Sequence, residues 1–187
     1  MILPIVAYGD PVLRKKCTEI DEQFSGLQEL IDNMFETMEH ARGVGLAAPQ
    51  INMPIRLFVI DSTQMNDEND QPNPEGLREV FINPNIIEET GEEWVFEEGC
   101  LSIPGIRENI VRLDTVKIQY YDRDFKFKEN TFKGLTARVI QHEYDHIEGK
   151  LFIDYLKPLK RSLLKGKLEN ISKGKVEVSY KMRFPKK

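Results

Sequence analysis

Cysteine is scarce in this 187-residue sequence, which contains only Cys17 and Cys100. Two cysteines are too few for the disulfide framework of a small secreted protein, and they fit a reducing compartment. No apolar run is long enough to span a bilayer. The short apolar amino terminus is interrupted by Pro4 and lacks the basic residues that begin a signal peptide. We therefore expect a protein of the bacterial cytoplasm, with neither a membrane nor DNA as a partner.

Basic residues are in the minority, with 26 Lys and Arg against 31 Asp and Glu, but they are concentrated at the carboxyl end. Residues 157–187 contain eleven basic residues against Glu169 and Glu177, a net charge of +9, whereas residues 1–156 contain 15 basic and 29 acidic residues. A solvated helix face and tail explain this pattern. Because no repeat or linker divides the chain, we predict one domain over residues 1–187 with a basic C-terminal segment at about 157–187.

Apolar periodicity predicts a mixed fold. One apolar stripe at helical spacing runs from residue 27 to residue 38, with Ser25 as a candidate N-cap and Gly43 just past the end. The segments that favour strands are 55–60, 80–82, 94–96, 116–121 and 175–180. Because the helical stripe is expected to pack on a sheet, we predict an α+β fold.

The two closely spaced histidines, His142 and His146, form the pattern His-Glu-x-x-His. Residues four apart lie on one face of a helix, so both imidazoles can bind one metal ion while Glu143 lies beside a metal-bound water. Such a water is a nucleophile near neutral pH. The alternative is a helix with two partly buried histidines and an incidental glutamate. That coincidence is rare in a chain with three histidines, so the pattern indicates a metallohydrolase.

A catalytic site of this kind needs a third protein ligand. The metzincin pattern requires a histidine where this sequence has Phe152. Glu169 is the downstream ligand that a thermolysin-like zinc peptidase would use, and that alternative stays open. Upstream, Cys100 offers a thiolate, although a lone cysteine is more often a small buried apolar residue. The residues beside Cys100 favour its role as a metal ligand, because Gly99 allows close backbone approach and Glu98 can orient a ligand.

A segment of small residues, Gly43 to Gln50, lies between the predicted helix and the first predicted strand. It lacks the lysine and hydroxyl residue of a phosphate-binding loop and the third glycine of a dinucleotide-binding motif. One interpretation is a tight helix-to-strand connection. The other is a backbone lining for a narrow cleft, in which the Gln50 amide donates a hydrogen bond to an oxyanion.

Three motifs, GVGLAAPQ, EEGCLSIPG and QHEYDH, lie in this order between residues 43 and 146. Together they closely resemble the three motifs of the peptide deformylases. The resemblance implies mostly antiparallel sheets packed around a central metal-binding helix. It also implies an enzyme that removes the N-formyl group from the formyl-methionine of nascent polypeptides and releases formate.

The resemblance implies a role for each motif. The implied metal ligands are Cys100, His142 and His146. Ferrous iron is the usual metal of the family, and nickel, cobalt or zinc can replace it. Glu143 is the implied general base and then general acid. The Gln50 amide and the backbone N–H of Leu101 are the implied donors to the oxyanion.

The resemblance also implies an apolar pocket for the methionine side chain. Its candidate lining residues are Gly45 and three residues that are equally explained as core, Val44, Leu135 and Val139. Arg138 stands where some relatives have an apolar residue, and we expect its stem to line the pocket while its guanidinium reaches solvent. Arg107 matches a substrate-contacting arginine of some family members, and a surface arginine explains it equally well.

The basic segment has a second interpretation. In some deformylases the C-terminal segment docks on the ribosome near the nascent-chain exit, so the resemblance implies a ribosome contact through residues 157–187. The strand-like residues 175–180 depart from a simple terminal helix. Two other functions stay open, namely a zinc peptidase that uses Glu169 and a catalytically silent module that binds a metal or the ribosome. The silent module leaves Glu143 and Gln50 without a role.

Overall fold

The computed structural model describes residues 1–66 and 70–185. Its helices are α1 (Leu27–His40), α2 (Gly134–Ile147) and α3 (Pro158–Ser172). The predicted helix is confirmed as α1, but Ser25 is not its N-cap. Gly26 takes that position in the left-handed conformation, with φ 74°, and no side chain caps the first turn. None of the helices in the described part of the chain has the length and apolar character that a membrane crossing requires.

The strands form one large antiparallel sheet and one short parallel pair. The large sheet has the order β2 (Gly45–Ala47), β3 (Leu57–Asp61), β4 (Arg78–Cys100), β5 (Ile103–Tyr121) and β6 (Phe127–Lys133). The parallel pair consists of β1 (Ile5–Val6) and β7 (Met182–Arg183). Helices beside mainly antiparallel strands confirm the predicted α+β class.

The hairpin of β4 and β5 carries the EEGCLSIPG motif at its closed end. Its two strands pair antiparallel along most of their length, and four register shifts bend the ribbon. The last shift lies between Gly99 and Cys100, where the chain enters the turn at Leu101 and Ser102. The segments predicted at 80–82 and 94–96 are therefore parts of one long strand, β4.

Helix α2 packs against the large sheet and is the predicted central helix. Its apolar residues Ala137, Ile140 and Ile147 pack in one cluster with Phe58 and Phe81 from the sheet. Because that face of α2 is buried in the core, the histidine face is turned toward the end of the β4 and β5 hairpin. The packing of α2 therefore positions the two histidines near Cys100.

The C-terminal segment does not form the strand predicted at 175–180. Gly174, with φ 73°, ends α3 in the left-handed conformation and turns the chain back. Residues 175–180 are irregular, and regular pairing begins at β7, where Met182 lies beside Ile5. The prediction was wrong because alternation of side chains does not reveal where a partner strand is available. Residues 186–187 of the predicted basic segment lie outside the described residues.

Candidate metal centre and active site

Three side chains bring metal-binding atoms to one point. The Sγ atom of Cys100 lies 3.3 Å from Nε2 of His146. The ligand atoms of Cys100, His142 and His146 all lie within 4.8 Å of one another. Two imidazoles and a thiolate suit iron, nickel, cobalt or zinc. Three protein ligands also leave room for an exchangeable ligand, as in catalytic sites, so the residues fit one divalent transition-metal ion.

Local geometry explains why these atoms meet. His142 and His146 are one helical turn apart on α2, and their rings lie 5.1 Å apart between centroids at an angle of 76°. The β4 and β5 hairpin supplies Cys100 at its closed end. Ligands from two rigid elements form a more precisely positioned site than ligands from mobile loops.

Glu98 orients one of the histidines. Its Oε2 atom lies 2.9 Å from Nδ1 of His142, which leaves Nε2 of the ring to face the metal position. Arg112 donates to the same carboxylate at 2.7 and 3.1 Å, and Arg138 donates at 2.9 Å. Although burial opposes ionisation, hydrogen bonds from His142 and Arg112 hold the pKa of Glu98 well below its usual range. The carboxylate therefore stays ionised and fixes the ring.

Arg138 does not send its guanidinium to solvent, so that prediction was wrong. The residue is 1% exposed, and its guanidinium also donates to the carbonyl oxygens of Ile110 at 3.0 Å and Trp94 at 2.8 Å. The guanidinium carbon lies 4.6 Å from the centroid of the Trp94 ring. A buried cation requires partners of this kind, and Glu98 supplies the charge. Sequence spacing alone did not show that a carboxylate from another element lies within reach.

Three further residues of this buried network were missed from the sequence. Arg112 donates to Asp145 at 2.8 Å, and the Tyr155 hydroxyl donates to the other Asp145 oxygen at 3.0 Å. Asp145 carried a weak signal, since it lies three residues after His142 and so on nearly the same helix face. Arg112 carried none, because its contact with Glu98 depends on the pairing register of the hairpin.

Glu143 lies beside the metal ligands in a closed environment. It is 4% exposed, and its Oε2 atom has no hydrogen-bond partner among the described residues. Burial raises the pKa of Glu143 to about 7, which suits a group that both accepts and donates a proton near neutral pH. A Cβ atom at Gly45 would overlap the Glu143 carboxylate, so glycine is needed there for close approach.

Gln50 is held with its amide nitrogen toward the Cys100 sulfur. Its Oε1 atom accepts a hydrogen bond from the Ala47 N–H at 2.8 Å. Its Nε2 atom lies 3.2 Å from Oγ of Ser102 and 3.5 Å from Sγ of Cys100. These contacts fix the amide as a donor beside the metal ligands. Ser102 was not singled out from the sequence, although it lies within the EEGCLSIPG motif.

A cavity of about 860 Å³ opens beside the metal ligands. The predicted pocket residues in its lining are Val44, Gly45, Arg107, Arg138 and Val139, and Leu101 lines it as well. Leu135 is not among the lining residues in the described part of the chain. Arg107 lies at the rim, where it donates to Glu97 at 2.7 Å. The cavity thus has an apolar inner wall and a charged rim.

The C-terminal segment forms part of this cavity, which the sequence did not indicate. Residues 177–180 line it, and the Tyr180 hydroxyl donates to the Leu101 carbonyl at 2.8 Å. Burial, followed by the charge of Cys100, raises the pKa of Tyr180 to about 12, so the hydroxyl remains a donor at neutral pH. The contact joins residues 79 positions apart, and local pattern carries no information at that distance.

The structure does not bring Glu169, the ligand that a zinc peptidase would use, together with the candidate metal ligands. Glu169 is exposed on α3 and pairs with Lys173, and it is not part of the metal-binding group found among the described residues. Phe152, which replaces the metzincin histidine, stacks on His142 with 6.0 Å between ring centroids. The geometry therefore favours Cys100 over any downstream ligand.

Comparison with known families agrees with the family resemblance of the three sequence motifs. The model of the polypeptide deformylase family matches residues 2–162. The peptide deformylase of Christiangramia forsetii is 57% identical over 190 residues, covering 99% of this chain and 97% of that protein. The peptide deformylase of Salinibacter ruber is 46% identical over 183 residues, covering 96% and 93%.

Solved structures resemble the whole fold. A crystal structure of a peptide deformylase from Legionella pneumophila superimposes with a TM-score of 0.79 at 42% identity, covering 94% of this chain and 98% of that one. The peptide deformylase from Thermotoga maritima gives a TM-score of 0.74 at 39% identity, covering 84% and 99%.

Proposed function

The chain belongs to the peptide deformylase family, and on that premise we propose that Cys100, His142 and His146 hold the metal ion at which the reaction takes place. The enzyme removes the N-formyl group from nascent polypeptides. The observation that supports the site most strongly is the meeting of three ligand atoms within 4.8 Å. Glu143 lies beside them with an oxygen that lacks a hydrogen-bond partner in the described structure.

The protein groups divide the reaction between them. A bound divalent cation would polarise the formyl carbonyl and lower the pKa of water at the site. Glu143 takes the proton released as water attacks the formyl carbon, and it returns this proton to the amine nitrogen as the C–N bond breaks. The products are formate and a free amino terminus. Val44 and Val139 form part of the wall against which the methionine side chain packs.

Gln50 and Leu101 are the proposed hydrogen-bond donors to the formyl oxygen of the substrate. In the proposed arrangement the Gln50 amide and the Leu101 N–H donate to the oxyanion that develops from the formyl carbonyl. The Gln50 amide is pre-oriented by Ala47 and Ser102, so little reorganisation accompanies the reaction.

Replacing Gln50 with alanine is expected to lower kcat by about 10²- to 10³-fold, because one preorganised donor is lost. Formate release from a formyl-methionyl peptide measures the effect, and metal content shows that the ligands remain. Gln23→Ala, at an exposed position, is the matched control and should leave kcat unchanged. A Gln50→Ala enzyme with normal kcat would show that this amide is not an oxyanion donor.

Ferrous iron is the proposed metal. The donor set accepts several cations, and family resemblance favours iron. We expect protein loaded anaerobically with ferrous iron to be far more active than the zinc-loaded form, measured as formate release per metal ion. Exposure to air should inactivate the iron form by oxidation of the metal and the Cys100 sulfur, while the zinc form keeps its lower activity. Equal activity of the two forms would contradict iron as the native metal.

Contact with the ribosome through the basic segment is a further part of the proposal, as is a bacterial cytoplasmic location, where nascent chains are available. Helix α3 exposes Leu159 and Leu163, at 76% and 71%, among basic residues. Lys165 and Lys167 are exposed and have no ion-pair partner within the described residues. Such unpaired cations suit contact with phosphate groups of rRNA.

Charge reversal tests ribosome contact better than truncation, because removal of α3 would delete its buried residues Leu164, Leu168 and Ile171 and expose the apolar cluster in which they pack. We expect Lys165→Glu combined with Lys167→Glu to reduce cosedimentation with bacterial ribosomes at low salt. The control is Lys15→Glu combined with Lys126→Glu, which makes the same charge change at exposed positions outside α3. Equal cosedimentation of the two double variants would contradict docking through α3.

A further inference from the structure

Both ends of the chain hold the turn that follows Cys100. The Tyr180 hydroxyl donates to the Leu101 carbonyl at 2.8 Å, and the Tyr8 N–H donates to the Ser102 carbonyl at 2.8 Å. Ser102 in turn accepts from the Gln50 amide at 3.2 Å. The two groups that are proposed to bind the oxyanion, Gln50 and the Leu101 N–H, therefore depend on the same turn.

The segment that carries Tyr180 is anchored immediately after it. The Ile5 N–H donates to the Lys181 carbonyl at 2.9 Å, and the Ala7 N–H donates to the Arg183 carbonyl at 2.8 Å. The Tyr180 side chain packs against the apolar cluster that surrounds α1. Backbone pairing on one side and ring packing on the other leave the hydroxyl little freedom.

We propose that Tyr180 is a positioning residue for deformylation, which holds Leu101 through its carbonyl so that the Leu101 N–H is directed at the developing oxyanion. The proposal rests on the proposed role of Leu101 in the reaction. Tyr180 acts through Leu101 and its turn, because its hydroxyl is committed to that carbonyl. A donor that is already oriented stabilises the transition state without reorganisation, and its loss affects kcat more than KM.

The Tyr180→Phe variant tests the hydroxyl while keeping the ring. We expect kcat to fall about three- to tenfold, as the loss of one hydrogen bond implies, while KM changes by less than about twofold. Because one hydrogen bond is lost, the unfolding temperature should lie no more than about 4 °C below that of the Tyr121→Phe control, whose ring packs against the same cluster but does not line the cavity. The control itself should keep normal kcat and KM.

Two results would overturn the proposal. An unchanged kcat for Tyr180→Phe would show that the hydroxyl does not position the turn. A fall in kcat with an equal rise in KM and an unfolding temperature more than about 4 °C below that of the control would show a packing role only. Gln50→Ala separates these results from failure of the oxyanion site itself, because it removes a donor directly. If Gln50→Ala lowers kcat and Tyr180→Phe does not, the proposed oxyanion site is supported and the positioning role of Tyr180 is wrong.

Discussion

Replacing Glu143 with glutamine is expected to lower kcat by about 10²- to 10⁴-fold, the range that general acid–base catalysis contributes. Glutamine keeps the size of the side chain but can neither accept the proton of water nor return it to the amine. The environment of Glu143 fits this proposed role, since burial raises its pKa to about 7 and one carboxylate oxygen has no hydrogen-bond partner in the described structure.

Metal content distinguishes loss of proton transfer from loss of the site. The Glu143→Gln protein should bind one metal ion per chain, because Glu143 is not part of the metal-binding group. Glu92→Gln makes the same change of charge at an exposed position on β4 and should keep normal kcat. A Glu143→Gln enzyme that retains wild-type kcat, or that is inactive only because it has lost the metal, would contradict the proposed role.

Replacing Cys100 with alanine should release the metal and abolish formate production. The remaining ligands would be two imidazoles from α2, too few for a stable catalytic site. Cys100 also forms a contact that joins the hairpin to the histidines, since its sulfur lies 3.3 Å from Nε2 of His146. Metal analysis after gel filtration and formate release measure the two effects on one sample.

Cys17 provides a matched control for this substitution. It is buried in an apolar cluster, and burial raises its pKa to about 11, so it is a neutral thiol at neutral pH. Cys17→Ala should therefore keep the metal and the activity, with some loss of stability from the smaller side chain. Retention of one tightly bound metal ion by Cys100→Ala would show that another ligand completes the site.

Much of the metal centre could be predicted because helix geometry is local. The spacing of His142 and His146 sets their relation on any helix, and only the approach of Cys100 depends on the rest of the fold. That approach is produced by hairpin pairing across residues that are remote in the sequence. The sequence therefore indicated a metal site from its residues, whereas the third ligand depended on the resemblance of three motifs taken together.

The predictions that were wrong concern residues whose tertiary contacts override their local preference. Arg138 was expected to reach solvent, and Glu98 instead draws its guanidinium into the core. Residues 175–180 alternate like a strand, yet the last four of them line the cavity, while β7 forms where β1 offers a partner. In each case the deciding partner is distant in the sequence, and side-chain pattern does not identify it.

The most direct test of a single catalytic metal site is an anaerobic titration of metal-free protein with ferrous iron, followed by formate release from a formyl-methionyl peptide. The site predicts a rate that rises in proportion to added iron, reaches a plateau at about one ion per chain, and stays at baseline in the Cys100→Ala protein. Formate release that needs no metal, or a plateau at about two ions per chain, would contradict a mononuclear site formed by Cys100, His142 and His146.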